Sequence, residues 1–174
     1  MKILHFFYLI LIIAIVSCST KSGIKDDGVI NYAQYQGKWY EIARLPNSIE
    51  TGLICITMTY TYTDNGIMTV TSSGKSKNNP DDIKSVTVKA WIPDEKEPQK
   101  LKIQLVWPVT VDAVLIHIDE AKGYAILGTP NKKHLWILSR QPVINKKDMF
   151  ALRMISEKNQ YIMDKLVYVD QICD

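Results

Sequence analysis

A chain of 174 residues with no shift of composition along its length predicts one domain, large enough to close a core without staples. Lysine and arginine exceed aspartate and glutamate by only 21 to 18, with the signs interspersed, so there is no basic face of the kind that follows phosphates and nucleic acid is not an expected partner. The sequence has no Cys-x-x-Cys, His-x-x-x-His or Gly-rich phosphate loop, so neither a metal nor a nucleotide cofactor is expected.

The first segment, MKILHFFYLILIIAIVSCST, opens on Lys2 and continues as an apolar run from Ile3 to Val16, broken only by His5. It is shorter than the roughly 20 residues that span a bilayer and gives way to small polar residues, which is the pattern of a signal peptide. Its end, Ile15-Val16-Ser17-Cys18, resembles a bacterial lipobox, which implies cleavage before Cys18 and a diacylglycerol on its thiol. On that reading residues 1–17 are a lipoprotein signal peptide and residues 18–28 are the acylated Cys with a polar tether. Loss of Lys2 takes the basic residues from 21 to 20, against 18 acidic ones. Several acyl chains, at about 0.8 kcal/mol per methylene, hold a protein far more firmly than one, so the chain is expected to be anchored to a membrane rather than to span it. Ser19 stands where an Asp resembles an inner-membrane retention signal, which points to the cell outer membrane.

From Gly37 onward, short β-prone runs follow one another too closely for helical crossovers, and residues 29–174 read as one antiparallel meander. The expected strands are Trp39 to Leu45, Cys55 to Thr63, Ile67 to Ser73, Ile83 to Ile92, Leu101 to Val106, Val111 to Ile118, Tyr124 to Gly128 and Leu135 to Arg140. Asp64 to Gly66 supplies a tight turn, and a Gly-, Asn- and Pro-rich loop is expected from Gly74 to Asp82. In the second run Ile56, Met58, Tyr60 and Tyr62 alternate with Thr57, Thr59, Thr61 and Thr63, which assigns one set to each face of the sheet. One helix is expected from Asn145 to Asn159, with Asn145 as cap and Asp148 three residues on. Its apolar stripe is Met149, Leu152 and Ile155, broadened by Phe150 and Met154. A last strand, Lys165 to Asp170, follows. Such a chain suits a sandwich or a closed barrel, and periodicity does not choose. Closure removes exposed edges, and about eight strands leave room for one small ligand.

The run Gly37-Lys38-Trp39-Tyr40-Glu41-Ile42-Ala43-Arg44 resembles the first motif of the lipocalins, Gly-x-Trp at the start of the first strand, in the wording of the bacterial lipocalin and apolipoprotein D branch. Asp119 and Tyr124 resemble the second motif, one residue off its usual spacing, and Arg140 in LWILSRQP holds the position of the third. The resemblance implies an eight-stranded antiparallel up-and-down barrel with one C-terminal α-helix and a short ninth strand. It also implies that Trp39 closes one end of the barrel with Arg140 laid over its ring, an attraction of cation–π and stacking type.

Cys55 and Cys173 stand where that branch carries a disulfide, so the resemblance implies the same bond here. The alternative makes Cys55 the nucleophile of a thiol-dependent lipid isomerase, although no neighbouring base can be named. The binding reading, not an enzyme, is the expectation. With Met58 and Tyr60 inward and the family's register, the cavity lining would be Met58, Tyr60, Met68, Val70, Val88, Ala90, Ile103, Leu105, Ala113, Leu115, Leu127 and Trp136. So apolar a wall suits a hydrocarbon chain, at about 0.8 kcal/mol per buried methylene. A fatty acid or lysophospholipid is the expected ligand. A third reading fills the barrel with these side chains and leaves the loops to contact a partner. The loops of the mouth carry Lys75, Lys77, Lys132 and Lys133 against Glu50, Asp81 and Asp82, read as solvated charges. His117 and His134 are read as structural. The oligomeric state stays open, a homodimer included.

Overall fold

The computed structural model describes residues 32–63 and 66–173; the signal peptide, Cys18 and the tether lie outside them, as do two residues of the Asp64 to Gly66 turn. A 3₁₀ turn, Tyr32–Tyr35, leads into β1 (Gly37–Arg44), β2 (Leu53–Tyr62), β3 (Ile67–Ser76) and β4 (Asn79–Trp91). There follow β5 (Lys100–Val106), β6 (Val109–Asp119), β7 (Tyr124–Gly128) and β8 (Leu135–Ser139). The chain ends with α1 (Lys146–Lys158), a 3₁₀ turn at Met163–Lys165 and β9 (Val167–Tyr168).

Each strand pairs antiparallel with the next, and β1 pairs with both β8 and β2, so the sheet closes into an eight-stranded barrel with β9 added beside β1. Of the two architectures open to the sequence, the barrel is the one formed. Closure leaves strand residues alternating between an interior and an exterior, and the apolar residues divide accordingly. Trp39, Met58, Met68, Ala90, Leu115, Ile118 and Leu138 are among the buried residues of the inner cluster. Ile42, Ala43, Ile126, Leu135 and Ile137 face outward and are covered by Met149 and Leu152 of α1, with Tyr161 and Met163. Both clusters, the nine strands of the described residues and the Cys55–Cys173 disulfide fall within residues 32–173.

Several expected boundaries move. There is no long loop from Gly74 to Asp82: β3 runs on to Ser76, Lys77 and Asn78 make the turn, and β4 starts at Asn79. Gly74, which reads as a loop residue, is a strand residue in register with Lys84, and a Cβ there would lie 2.9 Å from Ile56 Cγ1. Pro80 also sits inside β4, on a strand whose far edge is unpaired at that point and so needs no N–H there. The last strand shrinks to Val167–Tyr168: Lys165 belongs to the 3₁₀ turn and Leu166 follows it as cap, and only Val167 and Tyr168 pair with β1.

Asn145 caps α1 by accepting the Asp148 N–H. The buried stripe is narrower than expected: Met149 and Leu152 are covered, whereas Phe150 and Met154 are 66% and 48% exposed. One residue on from Met149 turns about 100° around the axis, which carries Phe150 off the face that meets the barrel. The second motif ties this helix to the β6–β7 hairpin. Asp119 pairs with Tyr124, and the Tyr124 hydroxyl and the Lys122 ammonium reach Asp148 at 3.1 and 2.8 Å.

Candidate ligand-binding cavity

The ladder places the odd end of the barrel, where β1 begins, opposite the open end formed by loop 45–52, the Lys77–Asn78 and Trp107–Pro108 turns, and loop 129–134. At the closed end Gly37, with φ of +90°, turns the chain so that Trp39 enters the interior at 3% exposure. The Arg140 guanidinium lies 3.9 Å from the centre of the Trp39 ring and donates to the Lys38 carbonyl at 2.9 Å. The indole N–H donates to the Tyr35 carbonyl at 2.9 Å, which ties the N-terminal turn across the floor. Burial pushes the Tyr35 phenol up to about 12 and raises Tyr32 as well. Both phenols are therefore neutral hydrogen-bonding groups at the base of the cavity.

Above this floor is an open space of about 1060 Å³, at the upper limit of the roughly 300–1,000 Å³ usual for ligand pockets. Met58, Tyr60, Met68, Val70, Val88, Ala90, Ile103, Leu105, Leu115, Leu127 and Trp136 lie on its wall. Ala113 does not: it is packed at 2% exposure in the inner cluster. The barrel is thus hollow rather than filled. Leu101, Ile118, Ala125 and Leu138 also line the cavity; Leu101, Ala125 and Leu138 follow from the period of two applied one step further along their strands, whereas Ile118 comes three residues after Leu115, past the register shift between Leu115 and His117. Tyr32 and Tyr35 precede the first strand and carry no such signal.

Glu50 is not a solvated loop charge. It is 8% exposed and lines the cavity, its carboxylate accepting from the Trp136 indole N–H at 3.0 Å and from the Asn47 amide. Behind it Arg44 donates to Glu41 at 2.8 Å and to the Glu50 carbonyl at 2.6 Å, with its Nε 3.8 Å from the Glu50 carboxylate. A bulge in β1 between Glu41 and Ala43 makes this arrangement possible. Glu41, opposite Leu138, keeps the inward side that Trp39 sets two residues earlier; the bulge turns both Ile42 and Ala43 to the outer cluster and returns Arg44, opposite Trp136, to the inside. Glu41 is fully buried and its Oε2 has no protein partner. Desolvation above all, and the Glu50 charge second, raise its carboxyl to about 8, against the pull of Arg44. Near neutral pH Glu41 is largely the acid, and Arg44 is balanced by Glu50.

Cys55 and Cys173 are joined at 2.04 Å, so Cys55 carries no thiol while that bond is intact. His117 pairs with outward-facing Ile126, away from the cavity, and burial holds its imidazole below the ordinary value. His134 stands at the mouth, its ring 6.1 Å from that of Trp136. Among the described residues no cluster of three metal-ligating side chains occurs.

A closed antiparallel barrel, an aromatic floor under a guanidinium and a deep apolar cavity open at one end define a calyx for hydrophobic ligands. The lipocalin-like domain model matches residues 30–171, and the chain belongs to the lipocalin family. It is similar to the outer membrane lipoprotein Blc of Vibrio cholerae, 31% identical over 138 residues that cover 79% of this chain and 80% of the relative. It is also similar to apolipoprotein D of Bos taurus, 27% identical over 146 residues, 80% of this chain and 76% of that one. Among solved structures, lobster apocrustacyanin A1 superposes with a TM-score of 0.67 at 19% identity, covering 81% of this chain and 79% of its own.

Proposed function

We propose that the protein holds fatty acids or lysophospholipids non-covalently in the barrel, and stores or carries them at the outer membrane through an acylated Cys18. The observation that carries this reading is the hollow apolar interior of about 1060 Å³, since each acyl methylene moved there from water contributes about 0.8 kcal/mol. The resemblance to outer membrane lipoproteins supports the location, and the lipobox-like Ile15-Val16-Ser17-Cys18 supports the anchor. Binding rather than catalysis is favoured because the disulfide occupies the one cysteine that the isomerase reading needs. A second copy of the chain is not required for the cavity, whose whole wall comes from one barrel.

Native mass spectrometry of the chain from Lys21 onward, purified without detergent and titrated with lysophospholipid and palmitate, tests the reading. One saturable mass increment per barrel is the expected result. A bare mass across both titrations refutes it.

A further inference from the structure

At thirteen residues β4 is the longest strand, and its two edges differ. On one side β3 pairs with it from Trp91 up to Asn79. On the other β5 pairs with it only at Lys89↔Gln104, Ala90↔Ile103 and Trp91↔Lys102, toward the closed end. From Asn79 to Val88 the edge of β4 facing β5 has no strand partner among the described residues, so the wall is slit from the mouth to its middle.

Side chains on the borders of this slit line the cavity and are open to solvent. Val86 on β4 and Leu105 on β5 both line the cavity, and they are 49% and 46% exposed. Beyond them, at the open end, Val106, Trp107 and Val109 of the β5–β6 turn are 66%, 82% and 51% exposed. An apolar track therefore runs from the tip of the turn through the slit to Val88 and Ile103 inside. Exposed apolar groups gathered in this way mark a contact surface.

A bare strand edge can also take up an extended peptide. Here the bare stretch of β4 carries Pro80, which has no N–H, and the charges of Asp81, Asp82 and Lys84, features that discourage strand addition. A projecting indole flanked by valines instead suits the headgroup level of a bilayer, where one end of the ring is wet and the other apolar.

Building on the lipid-holding reading above, we infer that the slit is a lateral gate for a membrane lipid. The β5–β6 turn seats in the bilayer surface, and a single acyl chain passes edgewise between β4 and β5 into the cavity. A chain that left the bilayer through water would expose every methylene, at about 0.8 kcal/mol each, so a covered path lowers the barrier to transfer.

The test separates docking, passage and binding. In the chain from Lys21 onward, Val106, Trp107 and Val109, none of which lines the cavity, are changed together to Ser. In a second variant Thr87→Cys and Val106→Cys, opposite each other if the β4–β5 register is continued, are bridged with a short bismaleimide that leaves the native disulfide intact. Transfer of a fluorescent lysophosphatidylcholine from phosphatidylcholine vesicles is followed at rising vesicle concentration, alongside equilibrium titration from sub-micellar solution. The parent rate is expected to rise with vesicle concentration. Both alterations are expected to slow transfer about tenfold or more while the dissociation constant from solution moves by less than about threefold. Parental rates in the serine variant, or a rate independent of vesicle concentration, overturn the gate and return the bare β4 edge to the role of a peptide-docking edge. Parental rates in the bridged protein confine the ligand path to the mouth and also overturn it. A barrel that binds no lysophospholipid from solution refutes the proposed function instead.

Discussion

The Arg140 guanidinium lies 3.9 Å from the centre of the Trp39 ring, and Gly123 is what lets it reach there. A Cβ on Gly123 would stand 2.7 Å from Arg140 Cγ, on a residue whose φ is +70°. Three positions far apart in sequence thus act as one device that seals the barrel. Arg140→Leu is expected to cost about 2 kcal/mol through the lost cation–π contact. Gly123→Ala is expected to cost about 1–3 kcal/mol from backbone strain alone, before the displaced Arg140 is counted. Urea denaturation of both variants and of their combination checks this, because a shared mechanism makes the double loss smaller than the sum.

The buried carboxyl of Glu41 sets a pH dependence of stability. Its value of about 8 in the fold exceeds the ordinary 4.5, so between those limits the native state keeps a proton that the unfolded chain has lost. The contribution of Glu41 is therefore fully present below about 4.5, falls as the pH rises, and is lost once the pH passes about 8. The slope cannot exceed about 1.4 kcal/mol per pH unit for one group. Glu41→Gln is expected to flatten the decline between pH 5 and 8, measured by denaturant midpoints in steps across that range. An unchanged slope in the variant would assign the decline to other groups.

The strands and the helix were legible because each rests on a local period, and the expected cavity lining needed in addition the strand register that the resemblance implies. Met58 and Tyr60 announce their face through the threonines between them, and the same alternation carries to Met68, Val70, Val88 and Ala90. What was not legible depends on departures from period. The bulge after Glu41 puts two consecutive residues on the outer face, so alternation from Trp39 carries as far as Glu41 but could not assign Arg44 to the interior. Glu50 reads as a loop charge because the indole and guanidinium that hold it come from β8 and β1, contacts made only once the barrel has closed. The slit between β4 and β5 is equally silent, since a strand's sequence does not say how far its neighbour follows it.

Cys55 and Cys173 are 118 residues apart, so their bond closes a long loop and restricts the unfolded state. In the chain-entropy model a loop of that order stabilises by about 4–5 kcal/mol. Cys173→Ser is expected to lower the denaturant midpoint accordingly while leaving the cavity wall, to which neither sulfur contributes, unchanged. Equal midpoints with and without reductant in the parent would show that the bond is not formed in solution.

The floor of the cavity offers the sharpest test of what the barrel holds. Ala90 is 3% exposed, lines the cavity, and pairs with Met68 and Ile103 near the closed end. An acyl chain that enters from the open end or the slit must place its terminal methylenes there. Ala90→Phe places an apolar ring among the buried residues at the base of the cavity and takes up room there, at an overpacking cost to stability of about 1–3 kcal/mol. Each methylene excluded from the cavity forfeits about 0.8 kcal/mol of affinity, so losing room for three or four of them weakens a long chain about 50- to 200-fold. A chain short enough to end above Ala90 keeps its affinity. Titrating the parent and Ala90→Phe with lysophospholipids of rising acyl length is therefore expected to give curves that coincide for short chains and diverge for long ones. A uniform loss at every length would mean that the substitution disturbs the barrel as a whole, and no loss at any length would place the ligand elsewhere than in the cavity.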